Sequence, residues 1–540
     1  MPPLLASLLF ALLSLAMLPY PGLQNDELFF SGPLYTPDET WFSVPAWGAK
    51  IPFMVTSYSG ALKTWLYAGL FEFVAPSRWS VRVPMVLTGV MTIWLTWLWT
   101  RRVAGTRAAN FTVALLATDA LFIVTNTFDW GPVALQHVLL MGGLAAVSVW
   151  IGKESNSTRG MLALGFFLWG LGLWDKALLI WPLAGLAVAT LCVYPRQLLR
   201  RLRPVPLLIA TASLLLGALP LVWYNIARPG ETASSNTKLV TNEMSSKIFQ
   251  LRHTLDGSEL LGGIMVEIFP GPLESVPKTL VGRVSVAVKR NLGAHPRNWM
   301  LPALALALAC LVFLLRTPLW RLLVFILIAT TIAWLQMALN AGTGTSPHHV
   351  ILLWPFPCVF IGIALAGVAE RAPRWIAQVI LALVALLTCG NLLNTNEYLA
   401  NMILNGTMGG WTDAFYRLPG AMLPYKSEWI GIVDWGYLNG LRLMYEGDLK
   451  MFVASDFVHK PEMTEADRRQ VLTMASSPGF VFIQHTDDKQ LFAGVNDQLR
   501  TAALAAGYTE HVERVVHDYH GRPVYEIFRF VPRIPLTEPR

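Results

Sequence analysis

The chain has 540 residues, of which 54% are hydrophobic and only 14% charged, against about 25% charged in an ordinary soluble domain. That composition excludes a typical cytosolic enzyme and a disordered chain alike. An excess of 41 Lys and Arg over 34 Asp and Glu gives a formal charge of +7. The basic residues fall at the ends of apolar runs rather than in one patch, which argues for membrane topology and against a nucleic-acid partner.

A membrane span needs roughly 20 mostly apolar residues. Eleven stretches qualify: 2–21, 80–100, 108–127, 131–151, 160–175, 177–194, 205–226, 299–316, 319–340, 348–369 and 374–393. The first lacks the basic start and A-x-A site of a signal peptide, so it is read as a span. With the N-terminus cytoplasmic, the inner loops collect Arg101, Arg102 and Arg107, Lys153 and Arg159, then Arg196, Arg200, Arg201 and Arg203. The outer loops before residue 200 hold only Lys50, Lys63, Arg78 and Lys176. The positive-inside rule sets this orientation, and an odd number of spans places the C-terminus outside. Residues 61–75 carry Lys63 and Glu72 and are too short to span. They are expected to form an amphipathic helix in the outer interface, with Trp65 and Tyr67 at headgroup level.

Three soluble pieces remain outside: a first loop 22–79, a second loop 227–298, and the tail. The tail alternates strand-like runs (Ile430–Val433, Met451–Ala454, Phe480–Ile483, Val524–Phe530) with helical stretches 464–475 and 490–506, the pattern of a small α/β domain. The predicted fold class is therefore a polytopic α-helical membrane protein, residues 1–395, with a C-terminal extracytoplasmic α/β domain, residues 396–540. Cys192, Cys310, Cys358 and Cys389 all lie in apolar runs and make no disulfide framework.

Ionisable residues near a bilayer are costly and invite a functional reading. Here they gather on one side. Asp26 and Glu27 follow the first span, Asp129 lies in the turn between spans three and four, and Asp175 and Lys176 occupy the turn between spans five and six. His348 and His349 stand at the outer entrance of span ten, and Lys63 lies on the interfacial helix. Each has a structural alternative: a solvated loop start for Asp26-Glu27, a turn residue for Asp129, a local ion pair for Asp175-Lys176, unliganded interfacial residues for the His pair. Asp119, deeper in span three, is read as a hydrogen-bond partner for a neighbouring helix. The N-x-[ST] matches at Asn110, Asn156 and Asn405 are read as chance. Co-location is what favours chemistry. A carboxylate at the membrane surface can act as general base toward a hydroxyl, while cations and imidazoles hold a phosphate as charge builds on it. No Gly-rich phosphate loop is visible, so a lipid-carried sugar donor is the consistent choice.

The acidic pair Asp26-Glu27, the segment Y-S-G-A-L-K-T-W-L-Y (58–67) and S-V-R-V-P (80–84) resemble the GT-C glycosyltransferases. The nearest in pattern are the protein O-mannosyltransferases and the lipid A aminoarabinose transferases. T-N-T-F-D-W-G-P-V-A-L-Q (125–136) resembles their second acidic motif, and T-S-P-H-H-V-I-L-L-W-P (345–355) their later outer-face motif. The resemblance covers about residues 1–395. It implies an inverting transferase in a bacterial inner membrane, moving a sugar from a polyprenyl-phosphate donor to a hydroxyl of a glycolipid, glycan or protein. Asp26 would be the catalytic base, Glu27 its neighbour and Asp129 the second carboxylate. Lys63, His348, His349 and Lys176 would bind the donor phosphate. A divalent metal stays open, because Leu62 stands where the relatives place an acidic residue. T-P-D-E-T (36–40) also matches a family motif and makes Asp38 a rival base. Competing functions are a secondary transporter, a non-catalytic membrane scaffold, and a polysaccharide polymerase or ligase using Arg252, His253, Lys289 and Arg290 of the 227–298 loop. Asp434, in I-V-D-W-G-Y (432–437), follows a strand where α/β sites often lie, or is a turn residue.

Overall fold

A computed structural model describes residues 1–46, 48–152, 158–265 and 277–533. The expected loop cation Lys153 and the first two residues of the Asn156 sequon fall outside them. The chain divides into two compact units: one of residues 1–19, 37–262 and 278–400, the other of 20–36, 263–277 and 401–540.

The first unit is helical, and every one of the eleven apolar stretches carries a helix. Among the described residues, four helices are long and apolar enough to cross a membrane (Arg78–Ala104, Ala134–Gly152, Pro318–Leu339 and Arg374–Leu404), or up to eight if each bent pair counts as one span. Pro3–Met17 and Met300–Leu314 are shorter apolar helices. Bent pairs replace straight spans at 108–127, 205–226 and 348–369, whereas the fourth bends only past the expected span 177–194, between Ala177–Val193 and Pro195–Arg201. The first of them turns 66° between Thr106–Leu116 and Ala120–Phe128. Asp119 causes that break: its extended backbone leaves the first helix, and its carboxylate caps the second through the Leu121 and Phe122 amides at 2.8 and 3.4 Å. The last helix runs on to Leu404, well past the expected end at 393.

Lipid gives apolar side chains no reason to leave it, so helix association depends on close backbone packing at small residues. A Cβ added to Gly170 would lie 2.2 Å from the Leu214 carbonyl oxygen, one on Gly185 2.2 Å from that of Ala329, and one on Gly362 2.3 Å from Thr112 Oγ1. These contacts join Arg159–Asp175 to Pro204–Gly217, Ile180–Val193 to Pro318–Leu339, and Phe356–Ala369 to Thr106–Leu116. Phe356–Ala369 is buried at every residue except Val368, the signature of a helix at the centre of its bundle. Outward faces stay apolar, with Leu4, Leu12, Leu208 and Phe313 exposed, as a lipid-facing surface requires.

Two features of the first loop differ from expectation. Strands β1 (Phe42–Ala46) and β2 (Ala49–Met54) form an antiparallel hairpin. The interfacial helix spans Leu62–Phe71, with Trp65 exposed but Tyr67 buried, its hydroxyl donating to the Val81 carbonyl. Tyr67 therefore serves the protein interior rather than the headgroup layer.

The second unit contains a five-stranded sheet of order β4-β3-β5-β7-β6, with β3 Trp429–Ile432, β4 Lys450–Val453, β5 Phe480–His485, β6 Tyr508–His517 and β7 Pro523–Pro532. Strand β3 pairs parallel with β4 and β5, whereas β7 runs antiparallel to β5 and β6. Phe482, Phe528, Val433, Val471, Met474 and Leu499 make its core, roofed by helices Glu465–Ser476 and Val495–Ala505. Residues 20–36, expected as part of the first loop, pack in this unit.

Candidate active site

Asp26 lies in the second unit, on a turn built by its neighbours. The Asp26 amide donates to Gln24 Oε1 at 2.6 Å, and the Gln24 amide donates to Glu27 Oε1 at 2.8 Å. Glu27 is buried, while Asp26 is only partly so. The turn is anchored at three further points: the Gly22 amide to the Trp411 carbonyl at 2.7 Å, Tyr416 Oη to the Pro21 carbonyl at 2.6 Å, and Ser31 Oγ to the Asn439 carbonyl at 2.9 Å. The rival acid, Asp38, is placed differently. It is in the first unit, exposed, and pairs with Lys50 at 2.6 Å.

The first unit brings together four segments far apart in sequence. Asp129 ends helix Ala120–Phe128 in a left-handed conformation (φ 44), which costs little for a residue of its size and polarity. Its Oδ1 accepts the Val133 and Ala134 amides, both at 2.9 Å, and so caps the start of helix Ala134–Gly152. Its Oδ2 meets Lys63 Nζ at 2.5 Å, and both side chains are at least nine-tenths buried. Lys176 Nζ reaches the carbonyl of Gly131 in the same turn, and Gln136 Nε2 donates to Asp175 Oδ2 at 2.6 Å and to the Gly172 carbonyl at 3.0 Å. Two backbone bonds, Gly60 to Asp175 at 3.0 Å and Ala177 to Tyr58 at 2.8 Å, hold the Lys63 segment against the Lys176 turn.

His348 closes the group from span ten. Its ring lies 5.6 Å from that of Trp130 and 4.2 Å from that of His349, and Ser346 Oγ is 2.6 Å from its Nδ1. Only glycine fits at 131: its φ is +72, and a Cβ would come within 2.5 Å of the His348 ring. The buried Nδ1 of His349 has no hydrogen-bond partner among the described residues. An unsatisfied buried nitrogen is costly unless something else satisfies it.

The first unit thus brings Lys63, Asp129, Lys176, His348 and His349 together, with Lys63 in an ion pair to Asp129. Gln24 and Gln136 organise the two carboxyl segments, and neither is marked by a charge that sequence reading would notice. Lys247 was likewise missed. It is fully buried, donates to the Ala338 and Asn340 carbonyls at 3.0 and 2.6 Å, and lies 3.3 Å from Glu243. Asp119 has the structural part expected of it, accepting from Trp354 Nε1 at 2.9 Å as well as capping its helix. Among the described residues no cluster of three or more His, Cys, Asp or Glu side chains could hold a metal ion.

No family model matches the sequence, and no curated protein matches it. Solved structures do. ArnT from Cupriavidus metallidurans bound to undecaprenyl phosphate aligns over 97% of both chains, with TM-score 0.58 and 16% identity. Its apo state gives 0.56 and 15% over the same shares. The oligosaccharyltransferase AglB from Archaeoglobus fulgidus aligns over 99% of this chain and 75% of its own, with TM-score 0.49 and 14% identity. End-to-end agreement with ArnT extends the likeness in fold through the tail, beyond the residues that carry the sequence motifs.

Proposed function

We propose that the protein is an inverting glycosyltransferase that moves a monosaccharide from a polyprenyl-phosphate donor to a hydroxyl of an envelope glycolipid, glycan or protein at the outer face of a bacterial inner membrane. The observation that carries this reading is the buried constellation of Lys63, Asp129, Lys176 and the two histidines, drawn from four separate segments on a GT-C fold. An interior that accepts two lysines has been arranged around anionic charge. Lys176, His348 and His349 offer donors to a phosphate, with Lys63 beside them, while Asp129 fixes Lys63 and the turn it enters.

Asp26 is the base in this reading. It accepts the proton of the acceptor hydroxyl as that oxygen attacks C1; the C1–O bond to phosphate breaks, and the polyprenyl phosphate leaves with the electron pair. Attack from the side opposite the phosphate inverts C1. Glu27, held by the Gln24 amide, shapes the turn. Asp26, partly buried on an anchored segment, suits a base better than the exposed Asp38.

The test is sugar transfer by purified protein in lipid, using a labelled polyprenyl-phosphate sugar and envelope extracts as acceptor. Asp26→Asn should abolish turnover while leaving the folded yield unchanged, and Asp38→Asn should retain it. Turnover by Asp26→Asn removes Asp26 from the mechanism. Counterflow of sugar without a covalent product would mean transport instead.

A further inference from the structure

One densely hydrogen-bonded carboxylate of the tail is not in the constellation above. Asp434 follows strand β3, is 1% exposed and accepts four hydrogen bonds. The Trp435 and Phe492 amides donate to Oδ1 at 2.8 and 2.9 Å, and the Leu491 amide and His485 Nδ1 reach Oδ2 at 2.8 and 2.7 Å. Burial alone would raise this carboxyl; the bond to His485, its charge, and the Leu491 and Phe492 amides outweigh burial and hold it below the usual range. His485 ends the neighbouring parallel strand β5. Both residues therefore lie at the C-terminal edge of parallel strands, where α/β sheets place their sites.

The loop that Asp434 fixes leads to the Asp26 segment. Trp435 and Gln24 both pack against Gly410, where a Cβ would meet Gln24 Cγ at 3.2 Å and Trp435 Cζ3 at 3.3 Å. Gln24 is the residue whose Oε1 takes the Asp26 amide. Four residues beyond Trp435, the Asn439 carbonyl accepts Ser31 Oγ. Leu491, tied to Asp434 through its amide, packs at 3.6 Å against the position a Cβ of Gly409 would occupy. Every link in this chain lies within the second unit.

We infer that Asp434 and His485 are positioning residues for sugar transfer: through the Trp435–Tyr437 turn and the helix Leu438–Met444 that follows it, they seat the Gln24–Asp26 turn and set where the base points. The inference rests on the reading of Asp26 as the base. Asp434→Asn keeps the side chain's shape but turns an NH2 group toward donors, which loosens the loop without emptying the core.

Two measurements on the full-length protein decide it. In Asp434→Asn and His485→Gln, kcat should fall about tenfold to a hundredfold, as misplacement of a reacting group by a fraction of an ångström does, with donor KM and undecaprenyl phosphate binding unchanged. Amide hydrogen exchange in residues 22–32 should speed up about tenfold, with helix Pro318–Leu339 unaffected. Unchanged exchange in residues 22–32 in both variants overturns the inference, whatever the activity. Should Asp434→Asn give no folded protein, Ser31→Ala reads the same seat from its other side, with a smaller fall in kcat expected and faster exchange in the same residues. If the wild type transfers no sugar from any polyprenyl-phosphate donor, the assigned activity falls, and the exchange measurement alone decides whether the seat exists.

Discussion

Asp129→Asn isolates the charge of the Lys63–Asp129 pair from the rest of what Asp129 does. Asparagine tolerates the left-handed backbone at φ 44 as well as aspartate does. Its side-chain oxygen still accepts the Val133 and Ala134 amides, so the helix cap is kept. What is lost is the negative charge 2.5 Å from a lysine amine in a site where both side chains are at least nine-tenths buried. Leaving one member of such a pair uncompensated costs about 3–5 kcal/mol. Replacing both with neutral groups, in Lys63→Met/Asp129→Asn, removes that penalty and should return stability to within about 1 kcal/mol of wild type. Thermal unfolding of the purified protein in one detergent measures the four members of this cycle, and titration with undecaprenyl phosphate runs beside it. If Lys63 contacts the donor phosphate, the double variant regains its Tm but not its affinity. A single Asp129→Asn variant that melts with the wild type would show that the pair contributes no net charge compensation. A double variant that binds undecaprenyl phosphate normally would remove Lys63 from the donor site.

Three further perturbations test the fold. Gly185→Val places atoms where a Cβ alone would stand 2.2 Å from the Ala329 carbonyl oxygen; folded yield and Tm should drop sharply, whereas Gly160→Ala, with nothing within 4 Å, should be neutral. Trp354→Phe leaves Asp119 Oδ2 without the indole donor at 2.9 Å and should cost about 1–3 kcal/mol in the same unfolding assay. Burial, then the neighbouring Asp518 charge, against the Tyr519 amide, push Asp413 up to about 6 from 3.8. The folded state then holds a proton that the unfolded chain releases first, so this group's contribution is complete below pH 4 and lost as pH rises through 6. Asp413→Asn should match the wild type below pH 4 and exceed it by roughly 3 kcal/mol above pH 6; a difference independent of pH would refute the assignment.

Much of the membrane part was legible because hydropathy reports composition, and composition is what lipid selects. All eleven apolar stretches carry helices. Their bends were not legible: Asp119 looks in sequence like one polar residue in an apolar run, and its capping of Leu121 and Phe122 exists only once the chain has turned 66°. In the tail four of the strands declared themselves through apolar runs. Strand β6 did not, because it is a mostly exposed edge carrying Glu510, Glu513 and Arg514, the charged dress that keeps edges from pairing with other chains. The β1–β2 hairpin hid behind Pro45 and Pro52, which two-stranded edges tolerate and central strands do not.

The site shows the same division at the level of single residues. Charges stand out in an apolar sequence, so Lys63, Asp129, Lys176 and the acidic pair could be found without coordinates. Residues that aim those charges could not: Gln24 and Gln136 are uncharged amides, and Asp434 lies some 400 positions from the turn it helps to seat. Yet a buried lysine is tolerable only when its surroundings are fixed, and that requirement predicts where such residues must be. Gln136 donates to Asp175 one turn from the helix start that Asp129 caps. Gln24 takes the amide of Asp26 itself. In both places a neutral side chain satisfies the backbone or the carboxylate without bringing a second charge beside it.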